Sequence, residues 1–285
     1  HPNSTNPSQE SAVNGPPPAT TLTPDDTPAT TEPNSTGSAT ASPDPAISSY
    51  IDEQLKSTSY EAWLGAAECE FATADQLTVV AKRCANIPTS SYSSTNTANR
   101  NKAVEIARAI CDHPNATDQV IAALAESNFS DVLAIAAASP YAGETALTRL
   151  AERCANIPTS SYSSTNQANR KNAMNIAEAI CDNPNATDQT LVVLGEANFS
   201  DVLVIAAKSS HAGEATLTRL SERCAGIPTS NYSSTNKSNR DKATELAKAI
   251  CNNPNATPTA LQPLANANFG SVIEIGHDAI DTLTP

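Results

Sequence analysis

Cys84 to Asn96 reads CANIPTSSYSSTN, and the same letters return unaltered at Cys154 to Asn166 and with two changes, as CAGIPTSNYSSTN, at Cys224 to Asn236. The spacing is 70 residues each time. Other landmarks keep that register: Cys111, Cys181 and Cys251; a PNAT turn at Pro114, Pro184 and Pro254; and an Asn-Phe pair at Asn128, Asn198 and Asn268. A fixed period of this order marks a repeat architecture, in which each unit stacks on the next because none can bury its apolar face alone. A weaker copy opens the series, with Trp63, Leu77 and Val80 in register with Leu133, Leu147 and Leu150. The array is therefore expected over residues 49–285, as a partial unit at 57–84 followed by units at 85–154, 155–224 and 225–285.

Within a unit the apolar residues recur with helical spacing. Ala103, Ile106, Ala107, Ile110 and Cys111 line one face of a helix that Pro114 stops. Thr117 stands where an N-cap belongs, ahead of Val120, Ile121 and Leu124. Ser130 is read as the cap of a third helix carrying Val132, Ile135 and Ala136, with Phe129 before it as a hydrophobic staple. Leu147, Leu150, Ala151 and Cys154 mark a fourth. The fold class that follows is all-α, a right-handed α-solenoid of about three 70-residue four-helix repeats. Aromatic residues make up only 4% of the chain, so its core is built in thin layers of Ala, Leu, Ile and Val.

Between the fourth helix and the next unit lies a stretch rich in Ser, Thr and Asn, Ala85 to Asn99, read as a long loop centred on Tyr92. Loops of that length usually carry function. Tyr162 and Tyr232 centre its other copies, which makes the three tyrosines candidate binding positions on one side of the array. The alternative is that each Tyr packs inward over the cysteines below it. The Asn-Pro-Asn-Ala-Thr turns followed by Leu-rich helices, as in NPNATPTALQPL at Asn253 to Leu264, resemble variant leucine-rich repeat proteins and, more loosely, HEAT-like arrays. A variant leucine-rich repeat protein is associated with an iron-sulfur cluster, but no close run of cysteines is present here to hold one.

The cysteines recur with the unit, at spacings that match no CxxC metal or redox motif. Three readings are open. Disulfides joining Cys84 to Cys111, Cys154 to Cys181 and Cys224 to Cys251 leave Cys69 unpaired or intermolecular. Disulfides joining Cys69 to Cys84, Cys111 to Cys154 and Cys181 to Cys224 leave Cys251 over. In the third, the residues are reduced and act as small apolar core side chains, since Cys111 and Cys154 both fall on buried faces.

The flank before the array, residues 1–48, is Pro-, Thr- and Ser-rich and lacks Lys and Arg outright, so it reads as a disordered or extended tail or stalk. A start at His1 followed by such a stretch has the look either of a mature product whose leader has been removed or of a chain trimmed from a longer one. Asn-x-Ser/Thr triplets begin at Asn3, Asn34, Asn115, Asn128, Asn185, Asn198, Asn231, Asn236 and Asn255 and are candidate N-glycosylation positions, although Thr117 and Ser130 also have capping to do. A net charge of −13 excludes a nucleic-acid backbone as partner, and no apolar run is long enough for membrane insertion. The four histidines are scattered, and no catalytic, phosphate-binding or metal motif occurs. Neither cofactor nor metal is expected, and no enzyme activity. The expected function is a non-catalytic extracellular or cell-surface structural protein, a scaffold or self-assembling fibre subunit whose partner is itself. The alternative is an extracellular binding module whose Tyr-centred loops take a glycan or a protein.

Overall fold

A computed structural model describes residues 44–228 and 233–284, from residue 235 onward with side chains in the second segment. The stalk up to residue 43, with Asn3 and Asn34, lies outside the described residues, as do Asn231 and Tyr232. Among the described residues every element is helical. The helices are α1 (Pro45–Lys56), α2 (Tyr60–Glu68), α3 (Ala74–Ala85), α4 (Ser93–Asp112), α5 (Asp118–Leu124), α6 (Ser130–Ala138) and α7 (Glu144–Ala155). They continue as α8 (Ser163–Asp182), α9 (Asp188–Leu194), α10 (Ser200–Lys208), α11 (Glu214–Ala225), α12 (Ser233–Cys251), α13 (Pro258–Ala265) and α14 (Gly270–Leu283).

Each helix packs on the next-but-one, and almost every one on its immediate successor. Odd-numbered helices thus form one layer and even-numbered helices the other, which is a two-layer helical repeat solenoid with two hairpins per 70-residue unit. Connections from odd to even helices run along one edge and those from even to odd along the opposite edge. The core between the layers is thin, as the composition requires, and its largest fully buried side chains include Leu77, Ile106, Ile110, Ile121, Leu147, Leu150, Ile176 and Ile180.

Local sequence explains most helix ends. Thr117, Thr187 and Thr257 accept from the backbone N–H three residues on, at 3.4, 3.2 and 3.2 Å. Phe129, not Ser130, is the residue before α6; Ser130 is its first helical residue and no side chain caps it. Phe129 is buried, so an anchor takes the place of a cap. Two further clasps join helices remote in sequence. The Asp118 carboxylate accepts from the N–H groups of Gly143 (2.9 Å), Ala146 (2.9 Å) and Thr145 (3.2 Å), capping α7 from the start of α5. Asp188 does the same for α11, through Gly213, Thr216 and Ala215. A Cβ on Gly213 would fall 2.7 Å from the Asp188 carboxylate, which is why glycine stands there.

On that same edge Asn183, buried, donates to the carbonyls of Ala137 (2.7 Å) and Ser139 (2.9 Å), and Asn253 repeats the contact with Ala207 and Ser209. His113 fills the equivalent place in the preceding unit. Its Nδ1 accepts from the N–H of Asn115 (3.0 Å), so Nε2 carries the proton and donates to the carbonyl of Cys69 (2.9 Å).

Ahead of the partial unit at 57–84 stands α1, an amphipathic helix. Asp44 caps it, Ile51 and Leu55 turn inward, and Ser49, Asp52, Glu53 and Lys56 turn outward. At the next joint Thr73 and Gln76 form a capping box, so α3 caps itself where α7 and α11 are capped by a neighbour.

Candidate functional site

The expected loop from Ala85 to Asn99 is shorter than its composition implies. Only Asn86 to Tyr92 is irregular, and Ser93 to Asn99 form the first turns of the 20-residue α4. Those turns have no apolar face, so periodicity is blind to them; they are held by the packing of Ala103, Ile106 and Ile110 further along and by side-chain ties to the loop. Asn96 Oδ1 accepts from the N–H of Ser90 (3.0 Å), and Asn99 donates to the carbonyl of Pro88 (2.9 Å). Ser90 Oγ in turn accepts from the N–H of Tyr92 (3.1 Å).

The next copy reproduces this scaffold. Asn166 accepts from Ser160 (3.1 Å), Asn169 donates to Pro158 (2.9 Å) and Ser160 accepts from Tyr162 (3.1 Å). Backbone angles at Tyr92 are −81° and 118°, and at Tyr162 −81° and 119°. Both tyrosine side chains are 76% exposed. The inward-packed alternative is thereby overturned: the ties order the backbone and leave the ring in solvent.

A comparison of the copies at exposed positions separates constraint from drift. Outside the loop some exposed residues change between copies, as at Thr97, Gln167 and Lys237 or at Arg108, Glu178 and Lys248, while others, such as Arg100 and Arg170 or Glu152 and Glu222, do not. Pro88, Thr89, Ser91, Tyr92, Ser93, Ser94 and Thr95 are equally exposed, yet identical in the next copy. None of the side chains of Ser91, Tyr92, Ser94 or Thr95 makes a hydrogen bond among the described residues that would explain it. The loops lie on the odd-to-even edge, two hairpins apart, or roughly 20 Å at the usual 8–10 Å between packed helices.

The pairs of the first reading lie close enough for their thiols to interact, Cys84 with Cys111, Cys154 with Cys181 and Cys224 with Cys251. All seven cysteines are free thiols, and Cys84, Cys111, Cys154 and Cys224 are buried. Cys84 Sγ donates to the carbonyl of Ala103 (3.3 Å), and Cys154 and Cys224 do likewise to Ala173 and Ala243 (3.2 Å each). Burial pushes Cys84, Cys111, Cys154, Cys181 and Cys224 up to about 12 and Cys251 to about 11, so these side chains stay protonated and inert near neutrality. Their burial is what the third reading requires, and their adjacency in pairs is what the first requires. Cys69 is half-buried at the C-terminal end of α2.

The sequon asparagines divide by what their amide does. Asn115 donates to Ala72, Asn185 to Pro140 and Ala142, Asn255 to Ser210 and Ala212, and Asn198 to Ala155 and Ile157, each reaching the carbonyls of an earlier turn. In these four the nitrogen that would carry a sugar holds the array together. Asn128 is exposed and makes no such bond among the described residues, and Asn236 lies near the start of α12. These roles were missed in the sequence, although the recurrence of PNAT was the signal for them.

Among the described residues no cluster of three or more His, Cys, Asp or Glu is placed to hold a metal, and no helix is long and apolar enough to cross a membrane. The FIVAR domain matches residues 147–192 and 219–266. The first match runs from α7 through the Tyr162 loop and α8 into α9, and the second covers the corresponding helices one unit later. FIVAR is a repeated domain of extracellular and cell-wall-associated bacterial proteins, where the sequence resemblance had pointed to leucine-rich or HEAT-like repeats. Comparison with curated proteins and with solved structures returned no match.

Proposed function

We propose that the chain is a non-catalytic extracellular module in which the Tyr-centred loops of successive units bind a protein partner at a cell surface. The observation that carries this reading is the presentation of Tyr92 and Tyr162, each 76% exposed on loops of identical sequence and backbone. Tyr supplies a large, rigid, amphipathic contact at low entropic cost, and Ser, Thr and Asn around it supply adaptable hydrogen bonding, which is the chemistry of protein-binding paratopes. The loop is pre-organised by Asn96 and Asn99, so little ordering is lost on binding. Repetition at a fixed step also lets weak single contacts combine. The match to a domain of surface proteins favours the same placement, with the Pro/Thr/Ser-rich segment as spacer.

End-to-end stacking into a fibre has less support. The outward face of α1 carries Ser49, Asp52, Glu53 and Lys56 beside a single exposed Tyr50, and Pro258 replaces the aspartate with which α5 and α9 cap the odd helix that follows. The test is to label the protein and measure its binding to surface material of the producing cells, beside a variant with Tyr92→Ala, Tyr162→Ala and Tyr232→Ala. Binding is expected to be lost while helical circular dichroism is unchanged; undiminished binding would sink the proposal. Binding abolished by periodate treatment of the surface, but not by protease, would transfer the role to a glycan.

A further inference from the structure

A second surface lies on the opposite edge. The even helices run parallel, so the C-terminal ends of α2 and α4 converge, and between them opens a groove of about 560 Å³. Leu64, Ala67, Ala109 and Pro114 give it an apolar floor. Its rim carries Glu68, Glu70, Glu105 and Asp112, with Arg108 as counterweight.

These acids stand where a helix tolerates them least. The C-terminal end of a helix bears partial negative charge and favours cations, yet the last turns of α2 and α4 contain no base and end on Glu68 and Asp112. None of Glu68, Glu70, Glu105 and Asp112 forms an ion pair among the described residues. Two converging helix ends and four carboxylates therefore add their fields over an apolar surface. The equivalent groove between α10 and α12 is built differently, with Lys208, Lys248 and Asn252 where the first has Glu68, Arg108 and Asp112. The rim charge at the five aligned positions is −3 in the first groove, −2 in the middle one and +1 in the last, so the negative potential is greatest here and is reversed by the far end of the array.

We propose that the groove between the C-terminal ends of α2 and α4 is a docking site for an apolar peptide segment bearing lysine or arginine, contributed by a partner protein. The floor takes the apolar side chains, and the rim and helix ends take the cations. Its volume falls in the range of ordinary ligand clefts, and the net charge of −13 steers a cationic partner toward the chain as a whole. This surface is independent of the Tyr loops, which lie on the other edge.

The experiment uses the full chain and a fluorescent amphipathic helix made of leucine and lysine, with a leucine-glutamate twin as control, read by anisotropy at low and at physiological salt. The leucine-lysine peptide is expected to bind, more tightly at low salt, and its twin not to bind. Glu68→Lys, Glu70→Lys and Glu105→Lys together weaken binding by roughly tenfold or more, since three favourable contacts become repulsive. Glu126→Lys, Glu144→Lys and Glu152→Lys make the same change in net charge away from the groove and leave affinity within about twofold, as does the Tyr92→Ala, Tyr162→Ala pair. All six acids are exposed, so both triple variants fold. Equal weakening by the two triples would reduce the effect to diffuse attraction and overturn the site, as would binding of the leucine-glutamate twin or no binding of either peptide.

Discussion

Two parts of the repeat are copied almost letter for letter: the PNAT turn at 114–117, 184–187 and 254–257, and the Tyr loop. In the turn each side chain beyond the proline is accounted for. Asn185 clasps the carbonyls of Pro140 and Ala142, Ala186 is buried, and Thr187 caps α9. In the loop the accounting stops at Pro158, Ser160, Asn166 and Asn169, and the residues between them face water. Packing explains the identity of the turn; nothing in the fold requires that of Tyr162 and its neighbours. The comparison therefore separates what holds the array together from what it displays.

The buried side of this contrast is broken most severely through its thiols. Unfolded cysteine ionises near about 8.5, whereas five of the thiols reach about 12 and Cys251 about 11 in the fold. Because the folded pKa is raised, the native state keeps protons that the unfolded chain has lost. Stability is thus fully present below about 8.5 and falls as pH rises toward the folded values, by up to about 1.4 kcal/mol per pH unit for each thiol. Urea midpoints are expected to be level from about pH 7 to 8 and to drop steeply by about pH 10, with or without reductant. A midpoint that falls in alkali only once reductant is added would mean that the thiols are joined in the isolated protein.

Clasp residues come next. Asn183→Ala strands the carbonyl of Ala137 and the N–H of Asn185, while the Ser139 carbonyl keeps the N–H of Ala142, and is expected to cost about 1–3 kcal/mol for each group left unsatisfied. Asp188→Ala removes the cap of α11 and costs about 1–2 kcal/mol. His113→Asn replaces the imidazole by the residue that Asn183 and Asn253 already use, so its cost is expected to stay below about 1 kcal/mol, far less than His113→Ala. Chemical denaturation measures all four. If His113→Asn proved as damaging as His113→Ala, the imidazole would be doing something the amide cannot.

Much of this was legible in the sequence, because helical periodicity and local caps are short-range signals. The 70-residue period shows in direct copies, and the four helices per unit, the stop at Pro114 and the cap at Thr117 follow from residues within a turn or two of one another. What escaped was of two kinds. Ser93 to Asn99 were read as loop because a solvated helical turn and a loop share the same composition. The clasps by Asp118 and Asn183 act across 25 and 44 residues, where no local rule reaches. The copies nonetheless held a clue to the first clasp: Asp118 and Asp188 go with Gly143 and Gly213, whereas Ser48 goes with Thr73, which supplies its own cap. For the cysteines the sequence leaves two readings, because recurrence in pairs is equally the signature of a disulfide and of a buried helical face.

The smallest expected effect is on the exposed side, and it bears most directly on function. A tyrosine that contributed to the fold would cost several kcal/mol on truncation, because large aromatic side chains in cores do so. Tyr92 and Tyr162 are three-quarters exposed and their hydroxyls and rings have no partner among the described residues. Their position before α4 and α8 is served by backbone alone, through the N–H bonded to Ser90 or Ser160 and the carbonyl accepting from Asn96 or Asn166, and alanine retains both. Tyr92→Ala with Tyr162→Ala should therefore shift stability by no more than about 0.5 kcal/mol. A loss of more than about 2 kcal/mol would show the rings to be structural, and the repetition of the loop would then need no partner to explain it. A null effect leaves two large aromatic side chains exposed, ordered and repeated at a fixed step without a role in stability, which is what a binding surface requires.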